Sequence, residues 1–268
     1  MSELWATARE AVRALAAVDP ALRRFGASHH RYQLVPPLSA PALAALERRL
    51  GVPLPDDVRD FASGLAAGGA GPGHGIVPVD LAAQTPIAAP AGAPWTRGLP
   101  LAHLGCGYTA VAVLDGTARG EIWVDARAIG VLRPIHPGLT AFYLDWIDRL
   151  AHARWPEPCV PPGTCALAAA LSGYLARCEA EHAAAAGTLS GTALHDALSR
   201  LGPGAIEIAA ESSPWFDDGD RVDPCLACAR LIENLASDGL RSDVVAPGTL
   251  PRPLREAAPA SERGTPGR

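Results

Sequence analysis

The sequence predicts an α+β fold: an antiparallel meander of strands set between helices, followed by a mainly α-helical C-terminal segment. Residues 3–65 carry apolar side chains at helical spacing, broken by Pro and Gly. Residues 99–135 switch to short alternating runs punctuated by Gly, the pattern of an antiparallel meander. Beyond residue 163 the helical spacing returns.

The first helix is expected over 3–18, where Leu4, Trp5, Ala8, Val12, Leu15 and Ala16 share a face and Pro20 ends it. Arg24 to Pro37 reads as an extended connector. Ser39 caps a second helix that runs to Leu50, with Gly51 as its stop. Pro55-Asp56-Asp57 opens a third, since Pro suits a first turn and carboxylates suit the positive helix end. This helix turns Val58, Phe61 and Leu65 inward. Residues 76–81 resemble a short strand, and the Pro/Ala-rich 82–99 a loop without a regular ladder. Strands follow at Leu101–Leu104, Tyr108–Leu114, Gly120–Val124 and Ile129–Ile135, and a helix at Thr140–His152.

Trp155 to Gly163 holds four prolines in nine residues and reads as a stiff linker. It separates an expected 1–154 domain from a helical segment over 164–256, with residues 257–268 a disordered tail. In that segment helices are expected at Thr164–Ala186, Thr192–Leu201 and from Asp223-Pro224 to Asp238, with Gly239 as stop. Ala205–Ile208 could pair as a strand.

Composition excludes several chemistries. All 23 cations among the 268 residues are Arg, and no Lys occurs. Lys-based Schiff-base and pyridoxal phosphate enzymes are therefore ruled out, as are phosphate loops that end in Gly-Lys-Ser/Thr. Ala makes up about a fifth of the chain, which together with Arg, Gly and Pro indicates GC-rich codons. A net charge of −5 argues against a nucleic-acid partner. The N-terminus lacks an apolar signal region, and the longest charge-free apolar stretch, Cys165–Ala176, is too short to span a bilayer. The expected compartment is the cytoplasm, with no membrane partner. There the six cysteines would be thiols, metal ligands or redox groups.

Four segments recur in a recognisable order. They are Phe25-Gly-Ala-Ser-His-His-Arg-Tyr to Ser39, Leu46 to Phe61, Gly68-Gly-Ala-Gly-Pro72 with Gly75, and His103-Leu-Gly-Cys-Gly-Tyr108 with Arg119-Gly-Glu-Ile-Trp-Val-Asp-Ala-Arg127 and Phe142-Tyr-Leu-Asp-Trp-Ile147. The ordered set resembles the Smi/Knr family of the SUKH superfamily over residues 1–152. That resemblance implies an α+β fold with a curved, mostly antiparallel sheet and packed helices. It also implies a non-enzymatic protein-binding protein, an immunity protein that neutralises a cognate toxin, often a nuclease, of a polymorphic or contact-dependent system. His74 stands where family members often carry an aromatic residue, and Ala67 where they carry Asn.

For partner binding, Glu121, Trp123, Asp125 and Arg127 alternate with apolar residues along one strand, a solvated face or a binding face. The glycines at 68–75 are expected to form a tight crossover rather than a phosphate cradle. His103 and Cys106, three apart on an extended segment, would face opposite ways, with Cys106 a small buried thiol. No catalytic set is identified. In the C-terminal segment Cys178 and His182 lie one helical turn apart, and Cys225 and Cys228 form a second pair. Buried core thiols are the default, and the alternative is a tetrahedral zinc site in a regulatory or scaffold protein, with Cys159 and Cys165 as spare ligands. The acidic loop at Asp217, Asp218 and Asp220 lacks a calcium-loop spacing.

Overall fold

The computed structural model describes residues 3–152, 166–182, 192–209, 216 and 220–249. The Pro-rich linker, the tail and most of the acidic loop lie outside these residues.

The first helix, α1 (Glu3–Val18), buries Trp5, Ala8, Val12 and Leu15, a single stripe at the expected spacing. A one-turn helix, α2 (Ala27–His30), and a two-residue strand, β1 (Leu34–Val35), occupy the stretch expected to be a plain connector. Helix α3 (Ala40–Leu50) starts at Ser39, whose Oγ accepts the Ala42 N–H at 3.4 Å, and stops at left-handed Gly51. Helix α4 (Asp56–Gly64) begins with both acids in its first turn and buries Val58, Phe61 and Ala62. Asp57 also accepts the Thr140 N–H at 3.2 Å, which ties α4 to the start of α6 (Leu139–Ala151). Trp5, Phe61 and Tyr143 meet edge to face, at centroid distances of 5.1–6.3 Å. Burying each such ring is worth roughly 1.5–3 kcal/mol, which makes this cluster the anchor of α1, α4 and α6.

Strand β2 (Gly68–Gly69) pairs antiparallel with β1. The strand expected at 76–81 shrinks to Ile76, which bridges Gly69 and Ala102. Pro78, which has no N–H to give a ladder, precedes a one-turn helix, α5 (Val79–Ala82). Conversely, the 82–99 stretch contributes an edge strand, β3 (Ile87–Ala88). The main sheet is a five-stranded antiparallel meander in the order β3–β4–β5–β6–β7, with β4 (Arg97–Gly105), β5 (Tyr108–Val113), β6 (Ile122–Ala126) and β7 (Val131–His136). Its central strands are buried along their length apart from Arg97 at the start of β4. Ala110, Ala112, Ile122 and Val124 belong to the main core. Val111, Val113 and Trp123 belong to a second, smaller one with Ile87, Trp95 and Ala118. The chain from β3 to β4, together with Ala118, thus roofs a face expected to be polar.

The C-terminal segment carries α7 (Ala166–His182), α8 (Thr192–Ser199) and α9 (Leu226–Leu235), the last continued by a 3-10 turn over Ala236–Asp238 and ended at left-handed Gly239. The strand expected at 205–208 is a single parallel bridge, Ile206 to Val245. Leu167, Leu198, Ile208, Phe216, Val222 and Cys228 join the same continuous core as Trp5 and Phe61. The two segments therefore share one interior. No helix among the described residues is long and apolar enough to cross a membrane.

Candidate metal centre

Two groups of potential metal ligands lie where the C-terminal segment meets the sheet: Cys106, Cys225 and Cys228, and His29, His74 and Asp223. Within each group the donor atoms lie within 4.8 Å of one another.

The histidines are assembled by the α2 turn, the 68–75 loop and strand β4. Gly26 starts α2 with a left-handed φ of 78°, and a Cβ there would overlap the Gly73 carbonyl oxygen. Only a bare glycine lets the α2 turn lie against the 68–75 loop. That contact sets the His29 ring 4.5 Å from His74. The His74 N–H donates to the His103 carbonyl at 2.8 Å, and the His103 ring stacks on His74 at 5.2 Å. His103 also lies 4.8 Å from Phe216 of the C-terminal segment. The expected separation of His103 and Cys106 fails because β4 is bulged between His103 and Gly105, and a bulge cancels the two-residue alternation. Gly105 and Cys106 then take left-handed φ values of 86° and 53°. Both His103 and Cys106 consequently meet the C-terminal segment.

The turn at 223–228 docks on this hairpin tip. The Cys106 N–H donates to the Asp223 carbonyl at 2.7 Å, and the Cys225 N–H donates to the Cys106 Sγ at 3.2 Å. Cys106 Sγ lies 3.4 Å from Cys228 Sγ, and Cys225 Sγ 3.7 Å from Cys228 Sγ. Thiolates on a tetrahedral zinc with Zn–S near 2.3 Å sit about 3.8 Å apart, so the sulfurs already have the spacing of a shared ion. The hydrogen bond with the Cys225 sulfur pushes the Cys106 thiol up, and burial and the charge of Cys225 add to it. Crowded sulfurs of this kind lose their protons together only when a cation replaces them. Cys225 caps the N-terminus of α9, where the helix dipole favours thiolate.

Asp223 holds the neighbouring group. Its Oδ2 is 3.3 Å from His29 Nε2, and its Oδ1 accepts the Gly248 N–H at 3.1 Å. Burial raises its pKa, but the hydrogen bond and charge of His29 outweigh this and hold it at about 2. Burial and the charge of His29 lower His74 to about 4. Burial, with the charges of His74 and His29, takes His30 to about 4. Burial also carries His103 well below the usual range, helped by His74. At neutral pH the Asp223 carboxylate is ionised and the His74, His30 and His103 imidazoles are neutral, which leaves Asp223 and His74 in the forms that bind a metal.

The sequence-derived zinc set is thus brought together only in part. Cys225 and Cys228 meet, but their third sulfur is Cys106, from the β4–β5 hairpin. Cys178 sits in a separate small cluster with Ala197. The His182 side chain, Cys159 and Cys165 lie outside the described residues. Sequence reasoning missed the metal-ligand potential of Cys106, His29, His74 and Asp223. The available signals were the glycines on both sides of Cys106 and the His in the Gly-rich loop, in place of the expected aromatic.

The proposed partner-binding strand is also rearranged. Trp123 is only 8% exposed, lies 6.0 Å from Trp95 edge to face and donates its indole N–H to Glu121 at 2.9 Å. Asp125 is 7% exposed and accepts from Arg127 Nε and Nη2 at 2.9 and 2.8 Å. Trp123 is therefore a core residue of the second face and is not displayed as an anchor, because residues 87–95 cover that face. Arg127 is exposed, and Glu121 is partly so.

Compared with models of known families, with curated proteins and with solved structures, the chain gave no match.

Proposed function

We propose that this chain is a non-enzymatic protein-binding protein whose C-terminal segment is clamped onto its sheet by a structural zinc ion held by Cys106, Cys225 and Cys228. The observation that carries the clamp is the trio of sulfurs, with Cys228 Sγ 3.4 Å from Cys106 Sγ and 3.7 Å from Cys225 Sγ, joining a hairpin tip to a helix start. The sulfurs supply the soft, charged donors that zinc selects. A clamp of this kind would make the two segments a single rigid binding body. The resemblance over residues 1–152 supports an immunity role, in which this body occludes a toxin. The net charge of −5 suits a basic target such as a nuclease, because complementary charge speeds encounter.

Elemental analysis of the purified full chain tests the clamp. One zinc per chain is expected, lost in Cys106→Ser and Cys228→Ser and retained in Cys178→Ser. Folded protein without zinc, or zinc that depends on Cys178 and not on Cys106, overturns it. For the binding role, co-expression with the product of the adjacent gene should relieve its toxicity and give a complex on co-purification. Toxicity without relief, or no complex, rejects the immunity reading.

A further inference from the structure

A cavity of about 170 Å³ opens beside the histidines, lined by His29, His30, His74, His103, Asp223 and Ile76 among others. The volume far exceeds the 10–15 Å³ that one water needs. Three ring nitrogens in this region are buried without a hydrogen-bond partner: His30 Nε2, His74 Nδ1 and His103 Nε2. His103 is 3% exposed and His30 8%. Buried polar atoms are nearly always satisfied, and an orphaned cluster points to an ion or ligand that satisfies it.

The hydrogen bonds around the cavity fix what each ring can offer. His74 Nε2 lies 3.1 Å from the Pro224 carbonyl, an oxygen that can only accept. Neutral His74 therefore carries its proton on Nε2 and leaves a lone pair on Nδ1. This is the arrangement in which a carbonyl orients a metal-binding imidazole. His30 Nδ1 accepts the Tyr32 N–H at 3.0 Å, so the proton of neutral His30 sits on Nε2. That N–H is a donor for whatever occupies the cavity. His29 is 26% exposed, which gives a cation a route to the site from solvent.

We propose that His29, His74 and Asp223 form a second metal site, a two-imidazole, one-carboxylate set that takes a divalent first-row transition ion such as Zn²⁺, Co²⁺ or Ni²⁺. Imidazole donors favour these ions over Mg²⁺ and Ca²⁺, which prefer all-oxygen shells. Three protein ligands leave coordination positions for water or a small oxygen donor in the cavity, with the His30 N–H available to hold it. The site shares no ligand with the sulfur clamp, although Asp223 stands on the same 223–228 turn.

Co²⁺ distinguishes the two sites, because sulfur ligation gives charge-transfer absorption and nitrogen/oxygen ligation does not. The metal-stripped full chain is loaded with one equivalent of Zn²⁺ and then titrated with Co²⁺. One further equivalent is expected, with weak visible absorption and no sulfur charge transfer. His29→Ala and Asp223→Asn should each weaken this uptake by about tenfold or more. His29→Ala removes a partly exposed ring, so the chain should stay folded. Mg²⁺ in excess should not compete. The absence of this second uptake, or uptake unchanged in either variant, overturns the proposal. Failure of the sulfur clamp would instead appear as loss of sulfur charge transfer in a Co²⁺ titration without prior zinc, with the nitrogen/oxygen signal intact.

Discussion

Gly105→Ala should break the junction between the two segments, and Gly107→Ala measures how much of the effect is backbone strain. Both glycines have left-handed φ, 86° and 79°. An L-residue there costs about 1–2 kcal/mol. At Gly107 nothing lies within 4 Å of the added Cβ, so strain is the whole cost. At Gly105 the added Cβ would overlap the Pro224 carbonyl oxygen and the Cys225 Cα and N, all backbone atoms that cannot rotate away. The 223–228 turn must lift off, losing the 2.7 Å bond from Cys106 N–H to Asp223 and the 3.2 Å bond from Cys225 N–H to Cys106 Sγ. At about 1 kcal/mol for each bond, Gly105→Ala should cost roughly 3–4 kcal/mol against 1–2 for Gly107→Ala. Urea denaturation of the two variants beside the parent chain reads the difference, and zinc content reads the clamp. Equal midpoints for the two variants, or full zinc retention in Gly105→Ala, would refute the docking of the hairpin tip on Cys225.

Trp123→Ala should destabilise the fold by about 3–5 kcal/mol, as expected for a large ring removed from a core; a loss under about 1 kcal/mol by the same denaturation would mean that the ring is displayed rather than packed. Tyr143→Phe should cost about 1–2 kcal/mol, because the Tyr143 O–H donates to the Ala70 carbonyl at 2.9 Å in the interior, and an unchanged urea midpoint would contradict that bond. Asp115 gives a pH signature. Burial works against its charge, but hydrogen bonds from Thr96 and Arg97 outweigh it and hold the carboxyl well below its ordinary range. A depressed folded pKa contributes stability that is complete above the unfolded value of about 3.9 and lost as pH falls through the folded value. Asp115→Asn should therefore be less stable than the parent at pH 7, with the gap closing as the pH falls below about 4. A gap that stays constant between pH 7 and pH 3 would show that ionisation of Asp115 does not matter.

Local signals in the sequence translated well into structure. Ser39, Gly51, the acids at 56 and 57, and Gly239 mark helix ends by chemistry confined to a few residues, and the helices end there. The β5–β7 meander followed from short strand-like runs separated by Gly-containing turns. Side-chain pattern failed where tertiary contact overrides it. Alternation along β6 placed Trp123 on a polar face, but residues that are neighbours only in space cover that face with Ile87 and Trp95. The zinc set failed for a similar reason. Helical spacing pairs Cys178 with His182, yet spacing within one helix says nothing about which hairpin meets the 225–228 turn. His29 and His30 lie on a single turn of helix, too short for any periodicity to reveal. The bulge at Gly105 removes the alternation that would have ranked Cys106.

Cys106 and Cys228 are 122 positions apart. A growing chain lengthens by about 5–20 residues per second, so roughly 6–25 s separate the synthesis of the hairpin tip from that of its docking turn. For that interval the hairpin thiol and the histidine loop have no partner from the C-terminal segment. Closing a loop of this length costs about 4 kcal/mol in chain entropy, and an ion that recovers it can bind only after the last ligand has been made. Under the proposed clamp, metal loading would be a late event in the life of each molecule. The supply of the ion at that moment, rather than the speed at which the sheet forms, would then set how many chains become clamped.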